Sequence, residues 1–304
     1  MKPVVIDHIV KSYSAKKEKV TAVDDISFEV DKGELFGIIG PDGAGKTSLF
    51  RVIATLLIQD SGHALVDGFD TVKDYKAIRQ RIGYMPGRFS LYQDLTVEEN
   101  INFFATIFNT TIHENYDLIK DIYSQIEPFK DRRAGKLSGG MKQKLALSCA
   151  LIHKPSVLLL DEPTTGVDAV SRKEFWEMLK NLKKQGITIL VSTPYMDEAG
   201  MCDRIALVQS GKILSLNTPQ GVTHDFNKPL LAAKSDNMLM LLKRLKSAPG
   251  VDDAYPFGEY HHVVLTNNYN LDEVKNYLLE VQPDVEMIPA EPNIEDCFMN
   301  LMKN

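Results

Sequence analysis

Gly40-Pro41-Asp42-Gly43-Ala44-Gly45-Lys46-Thr47 is the stretch that decides the fold. It fits the pattern GxxxxGK[ST] of a phosphate-binding loop. Glycines let backbone N–H groups turn inward and approach an anion closely. The Lys46 ammonium suits the β and γ phosphates of a nucleotide, the Thr47 hydroxyl suits Mg²⁺, and Ser48, next in line, is counted with the loop as nucleotide-binding. Before the loop, Leu35 to Ile39 is an apolar run of buried-strand type. After it, an apolar helix is expected from about Lys46 to Leu57. Its N-terminus adds a dipole and free N–H groups to the anion site. Strand, glycine-rich turn and helix in this order are the context such a loop requires.

Outward from the loop, a second carboxylate-bearing element appears. Val157-Leu158-Leu159-Leu160-Asp161-Glu162 is a buried-strand pattern ending in two acids. Ligands bind at the C-terminal edges of parallel strands. Asp161 is placed to hold Mg²⁺, as the Asp of such a strand does in phosphate-loop enzymes. Glu162 is placed to polarise an attacking water as general base. Alone, this pattern could equally be a helix-capping turn. Ile187 to Val191 is another buried strand, joined to the last by a helix from about Ser171 to Lys184 that Gly186 closes. Alternating strands and helices predict a doubly wound parallel sheet: an α/β, P-loop NTPase fold.

The chain between about 85 and 136 reads as a helical insert. Thr96 and Glu99 form a capping box, and Ile101, Phe103, Phe104, Ile107 and Phe108 recur at helical spacing. A second helix is expected from about Tyr116 to Glu127, stopped by Pro128. Near the N-terminus, Val4 to Val10 and Ile26 to Val30 read as strands. Ile205 to Val208 and Ile213 to Leu216 read as a hairpin. Residues 1–218 are taken as one nucleotide-binding domain. Residues 219–304 are taken as a small α+β appendage with a β-α-β-β-α-β order ending in a helix, a split-βαβ arrangement.

The 304 residues carry a net charge of −6 with signs interspersed. No broad basic field is present, so no nucleic-acid partner is expected. The best basic run, Lys16-Lys17-Glu18-Lys19, reads as a solvated loop. Three distant cysteines, Cys149, Cys202 and Cys297, form no metal spacing and point to a reducing compartment. Met1 to Val10 lacks the apolar core of a signal peptide, and no apolar run approaches the roughly 20 residues of a spanning helix. The expectation is a soluble protein whose membrane role, if any, comes through a partner.

Leu137-Ser138-Gly139-Gly140-Met141-Lys142-Gln143-Lys144 resembles the LSGGQ signature of ABC ATPases, with Met141 where Gln is usual. Order and spacing relative to the phosphate loop and to Asp161-Glu162 make the match specific over about residues 3–218. The resemblance implies an ABC-type nucleotide-binding domain that pairs head to tail, the γ phosphate lying between one subunit's loop and the other's signature. Ser138 and the Gly139 and Gly140 amides, at a helix N-terminus, are physically suited to that second anion site. The resemblance further implies that Tyr13 stacks on adenine, although an ordinary strand aromatic would look the same. It places Asp168, in Thr165-Gly166-Val167-Asp168, at the dimer seam. Tyr84-Met85-Pro86, Leu91-Tyr92, Tyr195-Met196-Asp197-Glu198-Ala199 and Pro292 to Phe298 look like the ATPases of ABC-2-type exporters, the multidrug efflux class. Expected in consequence are ATP and Mg²⁺, an integral-membrane permease partner, a second ABC ATPase chain or a second copy of this one, and a place on the cytoplasmic face of the membrane. Phe89, Leu91 and Tyr92 would receive a helix of the permease, or simply belong to the core of the insert.

Two positions depart from the family pattern. Gly87 stands where a Gln contacts Mg²⁺ and water, and Pro194 where a His contacts the γ phosphate. Neither offers a side-chain donor, and Pro lacks a backbone N–H. One expectation is a site that binds ATP and hydrolyses it slowly, its signature completing another chain's site. Another is that a neighbour such as Gln93 or Thr193 substitutes and turnover is ordinary. An ATP-held regulatory subunit, an ABC protein acting on ribosomes or DNA, and a small-molecule kinase are weaker alternatives. The last leaves Ser138-Gly139-Gly140 without a role.

Overall fold

A computed structural model describes residues 1–15, 18–280 and 282–303. The chain divides into two units, Met1–Pro219 and Gln220–Asn304. The first contains β1 (Val4–Ala15), β2 (Glu18–Val30), β3 (Leu35–Ile39), α1 (Lys46–Ile53), β4 (Ser61–Val66), β5 (Phe69–Asp70), α2 (Tyr75–Arg79) and β6 (Ile82–Met85). The insert helices α3 (Val97–Ile107) and α4 (Ile112–Tyr123) follow, then α5 (Gly139–Leu151), β7 (Val157–Asp161), α6 (Ala169–Lys184), β8 (Thr188–Thr193), β9 (Arg204–Gln209) and β10 (Lys212–Asn217).

Strands β3, β7 and β8 are buried along their whole length, which requires cover on both faces. They lie centrally in a six-stranded sheet of order β10-β9-β3-β8-β7-β6. Every pairing from β9 to β6 is parallel, and only the edge strand β10 is antiparallel. The carboxyl ends of β3, β6, β7 and β8 therefore open on one edge, where the sequence places the phosphate loop, Gly87, Asp161-Glu162 and Pro194. A second, antiparallel sheet of order β2-β1-β4-β5 belongs to the same unit. Its inward residues Ile6, Ile9, Ile26 and Phe28 share one core with Phe36, Ile38, Leu49, Phe50 and Leu159.

Several boundaries differ from expectation. Helix α1 ends at Ile53, not Leu57: Thr55 takes a left-handed φ of 61°, and Leu56 turns back to the Arg51 carbonyl. Helix α4 begins a turn earlier than read and ends before Glu127. Thr111 and Glu114 form a second capping box that starts it, and Pro128 sits in a separate 3-10 turn, Glu127–Phe129. The Thr96–Glu99 capping box forms as read. In the run Lys16-Lys17-Glu18-Lys19, Lys16 and Lys17 lie outside the described residues.

The second unit begins within α7 (Pro219–His224) and continues with β11 (Leu230–Lys234), α8 (Met238–Leu245), β12 (Val251–Phe257), β13 (Tyr260–Leu265), α9 (Leu271–Leu279), β14 (Glu286–Pro289) and α10 (Ile294–Leu301). Its sheet is antiparallel, in the order β12-β13-β11-β14. Leu241, Leu245, Val274 and Leu278 of α8 and α9 pack with Leu231, Ala233, Ala254, Val263 and Leu265 of the sheet. Helix α10 is fastened by Asp296, which is fully buried and accepts hydrogen bonds from Tyr255 (2.7 Å) and His262 (2.6 Å). Helix α9 ends at Leu279, and Val281 lies outside the described residues.

Candidate nucleotide site

Close backbone approach explains the glycines of the loop. A Cβ on Gly40 would lie 2.1 Å from the Val208 carbonyl oxygen, and one on Gly45 2.0 Å from that of Ala22. Gly45 also holds φ at 102° as it opens α1, a conformation that only glycine adopts without strain. Gly43 (φ 80°) has open space around it. With Ala44, Lys46, Thr47, Ser48, Ala22 and Glu162, it lines a cleft of about 200 Å³. Pro41 and Asp42 form the outer bend, and the Ala44 N–H donates to the Pro41 carbonyl.

Lys46 is buried, and its ammonium donates to the Gly40 and Pro41 carbonyls at 2.7 and 3.0 Å. Its third neighbour is Glu162 Oε1 at 3.0 Å. Lysine and glutamate thus satisfy each other across the cleft, and an incoming phosphate competes with Glu162 for Lys46. Asp161 lies deeper. Its Oδ1 accepts from Thr47 Oγ1 at 3.2 Å and from Ser192 Oγ at 2.7 Å. Burial pushes its carboxyl above the usual carboxylate range, against the hydroxyls that pull it down. Glu162 holds a left-handed φ of 51°, a strain of about 1–3 kcal/mol that surrounding contacts must offset. Its N–H provides them, bonding to the Ser192 carbonyl and hydroxyl at 3.1 and 3.0 Å.

The donor set fits Mg²⁺. Thr47 and Asp161 would hold it, both hard oxygen donors. Among the described residues, no group of three or more His, Cys, Asp or Glu could hold a metal ion alone. A Mg²⁺ with few protein ligands and substrate phosphates completing its shell is the usual arrangement at such sites. It would neutralise charge on the β and γ phosphates.

The remaining candidates are distributed around this centre. Tyr13 on β1 is half-exposed, its hydroxyl 3.1 Å from Ser48 Oγ. Ser138 caps α5 by accepting from the Met141 N–H at 3.4 Å, with Leu137 buried beneath it. Gly139 and Gly140 open α5 beside the loop to α6: a Cβ on Gly139 would lie 3.6 Å from the Gly166 carbonyl, and one on Gly140 2.9 Å from Ser171 Oγ. Asp168 caps α6, accepting from the Ser171 N–H at 3.0 Å. That hydrogen bond, with others from the same turn, holds its carboxyl below the usual range.

Gly87 lies against the end of β7, where a Cβ would sit 3.0 Å from the Asp161 carbonyl oxygen. Of the two proposed substitute donors, Thr193 is already engaged. The Thr193 hydroxyl is buried and donates to Glu198. Gln93 lies at the base of the insert against Gly135. An apolar groove of about 650 Å³ runs beside Gly87, lined among others by Phe89, Leu91, Phe104 and Phe108. Tyr92, read as part of the same socket, lies outside its lining and stacks edge-on against Phe103.

Residues 23–165 match the model of the ABC transporter family. The chain is 34% identical to the Nod factor export ATP-binding protein I of Neorhizobium galegae, over 92% of this chain and 80% of that one. The chain belongs to the ABC transporter family of ATP-binding cassettes. This cassette is also 38% identical to the "Probable multidrug ABC transporter ATP-binding protein YbhF" of Escherichia coli K12, over 92% of its own length but only 49% of YbhF, so it spans about half of that relative. It is 40% identical to the ABC transporter ATP-binding protein NatA of Bacillus subtilis, over 67% of this chain and 85% of NatA. Among solved structures it resembles the dimeric ATP-binding cassette MJ0796 bound to ADP and Pi, with a TM-score of 0.65 and 25% identity, covering 71% of this chain and 98% of that one. It also resembles cbiO1 of Clostridium perfringens, described as part of an ABC transporter complex, with a TM-score of 0.64 and 26% identity, covering 74% and 91%.

Several residues of the cassette's site were missed from the sequence. Ser192 bonds Asp161 and the Glu162 N–H, and Thr164 and Arg172 both contact Glu198. The one available signal was Ser192-Thr193: two hydroxyls ending an otherwise apolar strand, at the edge where ligands bind. A single Glu after Tyr195-Met196-Asp197 carries no periodic signal.

Proposed function

We propose that this cassette binds MgATP in the cleft between Lys46 and Glu162, pairs head to tail with a second cassette, and hydrolyses ATP to drive an export permease. The observation that carries the reading is convergence: Lys46, Thr47, Asp161 and Glu162, brought from two segments more than 100 residues apart, meet around one glycine-lined cleft. Lys46 and the loop amides bind phosphate, Thr47 and Asp161 supply the Mg²⁺ ligands, and Glu162 is placed to orient and deprotonate water. Ser138, Gly139 and Gly140 stand exposed or half-exposed at a helix start, suited to a partner's γ phosphate. Tyr13, which lies beside Ser48, is assigned to the adenine, and Asp168 to the seam. Among the described residues no helix is long and apolar enough to cross a membrane. The groove beside Gly87, with Phe89 and Leu91 in its wall, suits an amphipathic helix of a permease. Export rests on the names of the similar proteins, which include multidrug and Nod factor export ATPases. We place the cassette at the cytoplasmic face of the membrane.

A second reading is favoured by Gly87 and Pro194. With no side-chain donor at either position and Thr193 committed to Glu198, the half-site lacks groups that would stabilise charge on the transferring phosphate. Loss of one such donor costs about 10²–10³ in rate in other enzymes, and losses in one site do not simply multiply. In this reading the cassette's own site turns over slowly and its signature completes the site of a different chain. Hydrolysis of MgATP by the purified chain, compared with Glu162→Gln after both are shown to bind ATP, tests both. Wild type clearly faster than the variant supports a working homodimer. Equal rates reject it and direct the search to a second cassette. The Lys46–Glu162 ion pair adds an expected result: Glu162→Gln frees Lys46 and binds MgATP at least as tightly as wild type.

A further inference from the structure

Glu198 is almost fully buried, yet the chemistry above gives it no task. One carboxylate oxygen, Oε2, accepts two hydroxyl hydrogen bonds: from Thr164 at 3.0 Å and from Thr193 at 2.5 Å. Both hydroxyls are themselves buried. The other oxygen, Oε1, has no hydrogen-bond partner and faces the Arg172 guanidinium at 3.7 Å. Arg172 in turn lies over the Tyr195 ring, 4.6 Å from its centroid, and 3.4 Å from Asp197. A buried carboxylate is costly unless its oxygens are satisfied, so such a residue in the 3-10 turn Met196–Met201 must be held by what it joins.

It joins the two loops that carry the chemistry. Thr164 stands two residues beyond Glu162, in the segment whose turns are closed by Thr165 N–H to Glu162 O (3.3 Å) and Val167 N–H to Thr164 O (3.2 Å). That segment ends at Asp168, which caps α6, and Arg172 is on the next turn of the same helix. Thr193 ends β8; its carbonyl receives the Gly40 N–H of the phosphate loop at 3.2 Å, and its hydroxyl receives the Tyr195 N–H at 3.1 Å. Through one oxygen, Glu198 therefore ties the 162–168 segment to the strand that anchors the phosphate loop.

We propose that Glu198 is a positioning residue: a buried clamp that sets where Glu162 and Asp168 stand relative to the phosphate loop, and so governs turnover without binding nucleotide. The effect on turnover rests on the hydrolytic reading above; the clamp itself does not. Glu198→Ala orphans both threonine hydroxyls, whereas Glu198→Gln keeps an acceptor oxygen of the same reach.

The test follows three readouts on the full chain with wild type, Glu198→Ala and Glu198→Gln. These are affinity for a fluorescent ATP analogue, kcat and KM for MgATP, and hydrogen exchange at the Thr165 and Val167 amides without nucleotide. A displaced catalytic group costs on the order of ten- to a hundred-fold in rate. The expected result for Glu198→Ala is that loss in kcat, with KM and analogue affinity within about twofold of wild type and faster exchange at both amides. Glu198→Gln is expected to recover most of the rate and the protection. Loss of analogue binding in step with kcat would mean a general fold defect and overturns the proposal, as does unchanged exchange at Thr165 and Val167. If wild type hydrolyses no MgATP, the hydrolytic reading fails, and faster exchange in Glu198→Ala still supports the clamp.

Discussion

Asp161 shows how much a single residue's surroundings matter. Its carboxyl is buried and accepts from two hydroxyls, but among the described residues no cation pairs with it directly. Burial raises its pKa above the ordinary value. Between the unfolded and folded pKa the native state holds more protons, so this group's contribution to stability is fully present at acid pH. It is lost as pH rises through the folded value. At neutral pH the ionised carboxylate is a net burden on the protein without nucleotide. Asp161→Asn keeps an oxygen for Thr47 and Ser192 and removes the charge. We expect it to raise Tm without nucleotide at about pH 7.5, with a smaller gain at about pH 4.5, and to abolish the Mg²⁺-dependent part of stabilisation by ATP. Differential scanning fluorimetry with and without Mg²⁺ checks both, and a lower Tm without nucleotide would contradict the assignment. The sequence already marked Asp161 as a ligand. It did not show Ser192 as the hydroxyl that holds the carboxylate, because that pairing crosses from β7 to β8.

At the scale of elements, helix starts were legible where a capping box announces them, as at Thr96-Glu99. They were misread where two signals competed, as at α4. There Pro128 looked like a terminator, while Thr111 and Glu114 had already set the start and the helix had ended at Tyr123. The approach of α5 to α6 was not legible at all. Gly140 has no positive φ to explain it; the nearest group to a Cβ there is the Ser171 side chain on the facing helix. Gly140→Ala would bring a methyl group to 2.9 Å from Ser171 Oγ and 3.1 Å from its Cβ. Overpacking of this kind costs about 1–3 kcal/mol. The expected outcome is a lower Tm and weaker hydrolysis in Gly140→Ala, with stability restored when Ser171→Gly is added. Additivity of the two changes in a double-mutant cycle would show that the helices do not meet there.

At the scale of the chain, two units carry separate cores. The single tryptophan, Trp176, is buried on α6 in the first, so its fluorescence follows that unit alone. Asp296 holds α10 in the second. Asp296→Ala strands the Tyr255 hydroxyl and the His262 ring nitrogen, at about 1–3 kcal/mol for each orphaned group. We expect it to lower the thermal transition of the second unit by circular dichroism. The Trp176 transition and its upward shift with MgATP should stay as in wild type. A parallel fall of the Trp176 transition would show that the units melt as one.

Local order settled much of this protein: a glycine-rich turn between an apolar strand and a helix, an apolar strand ending in two acids, and a Ser-Gly-Gly start to a helix are each contained in a few consecutive residues. Those patterns were enough for the α/β fold, the phosphate loop and the family resemblance, because hydrogen-bonding and backbone demands within one turn act on neighbours in the chain. What only the tertiary structure decided lies between segments. It pairs Lys46 with Glu162, removes Thr193 as a spare donor by giving its hydroxyl to Glu198, brings Gly87 against the Asp161 backbone and takes Tyr92 out of the groove. Each is a through-space contact between strand ends, set by sheet order and by the burial of polar groups that must find partners. Spacing along the chain carries no record of that geometry.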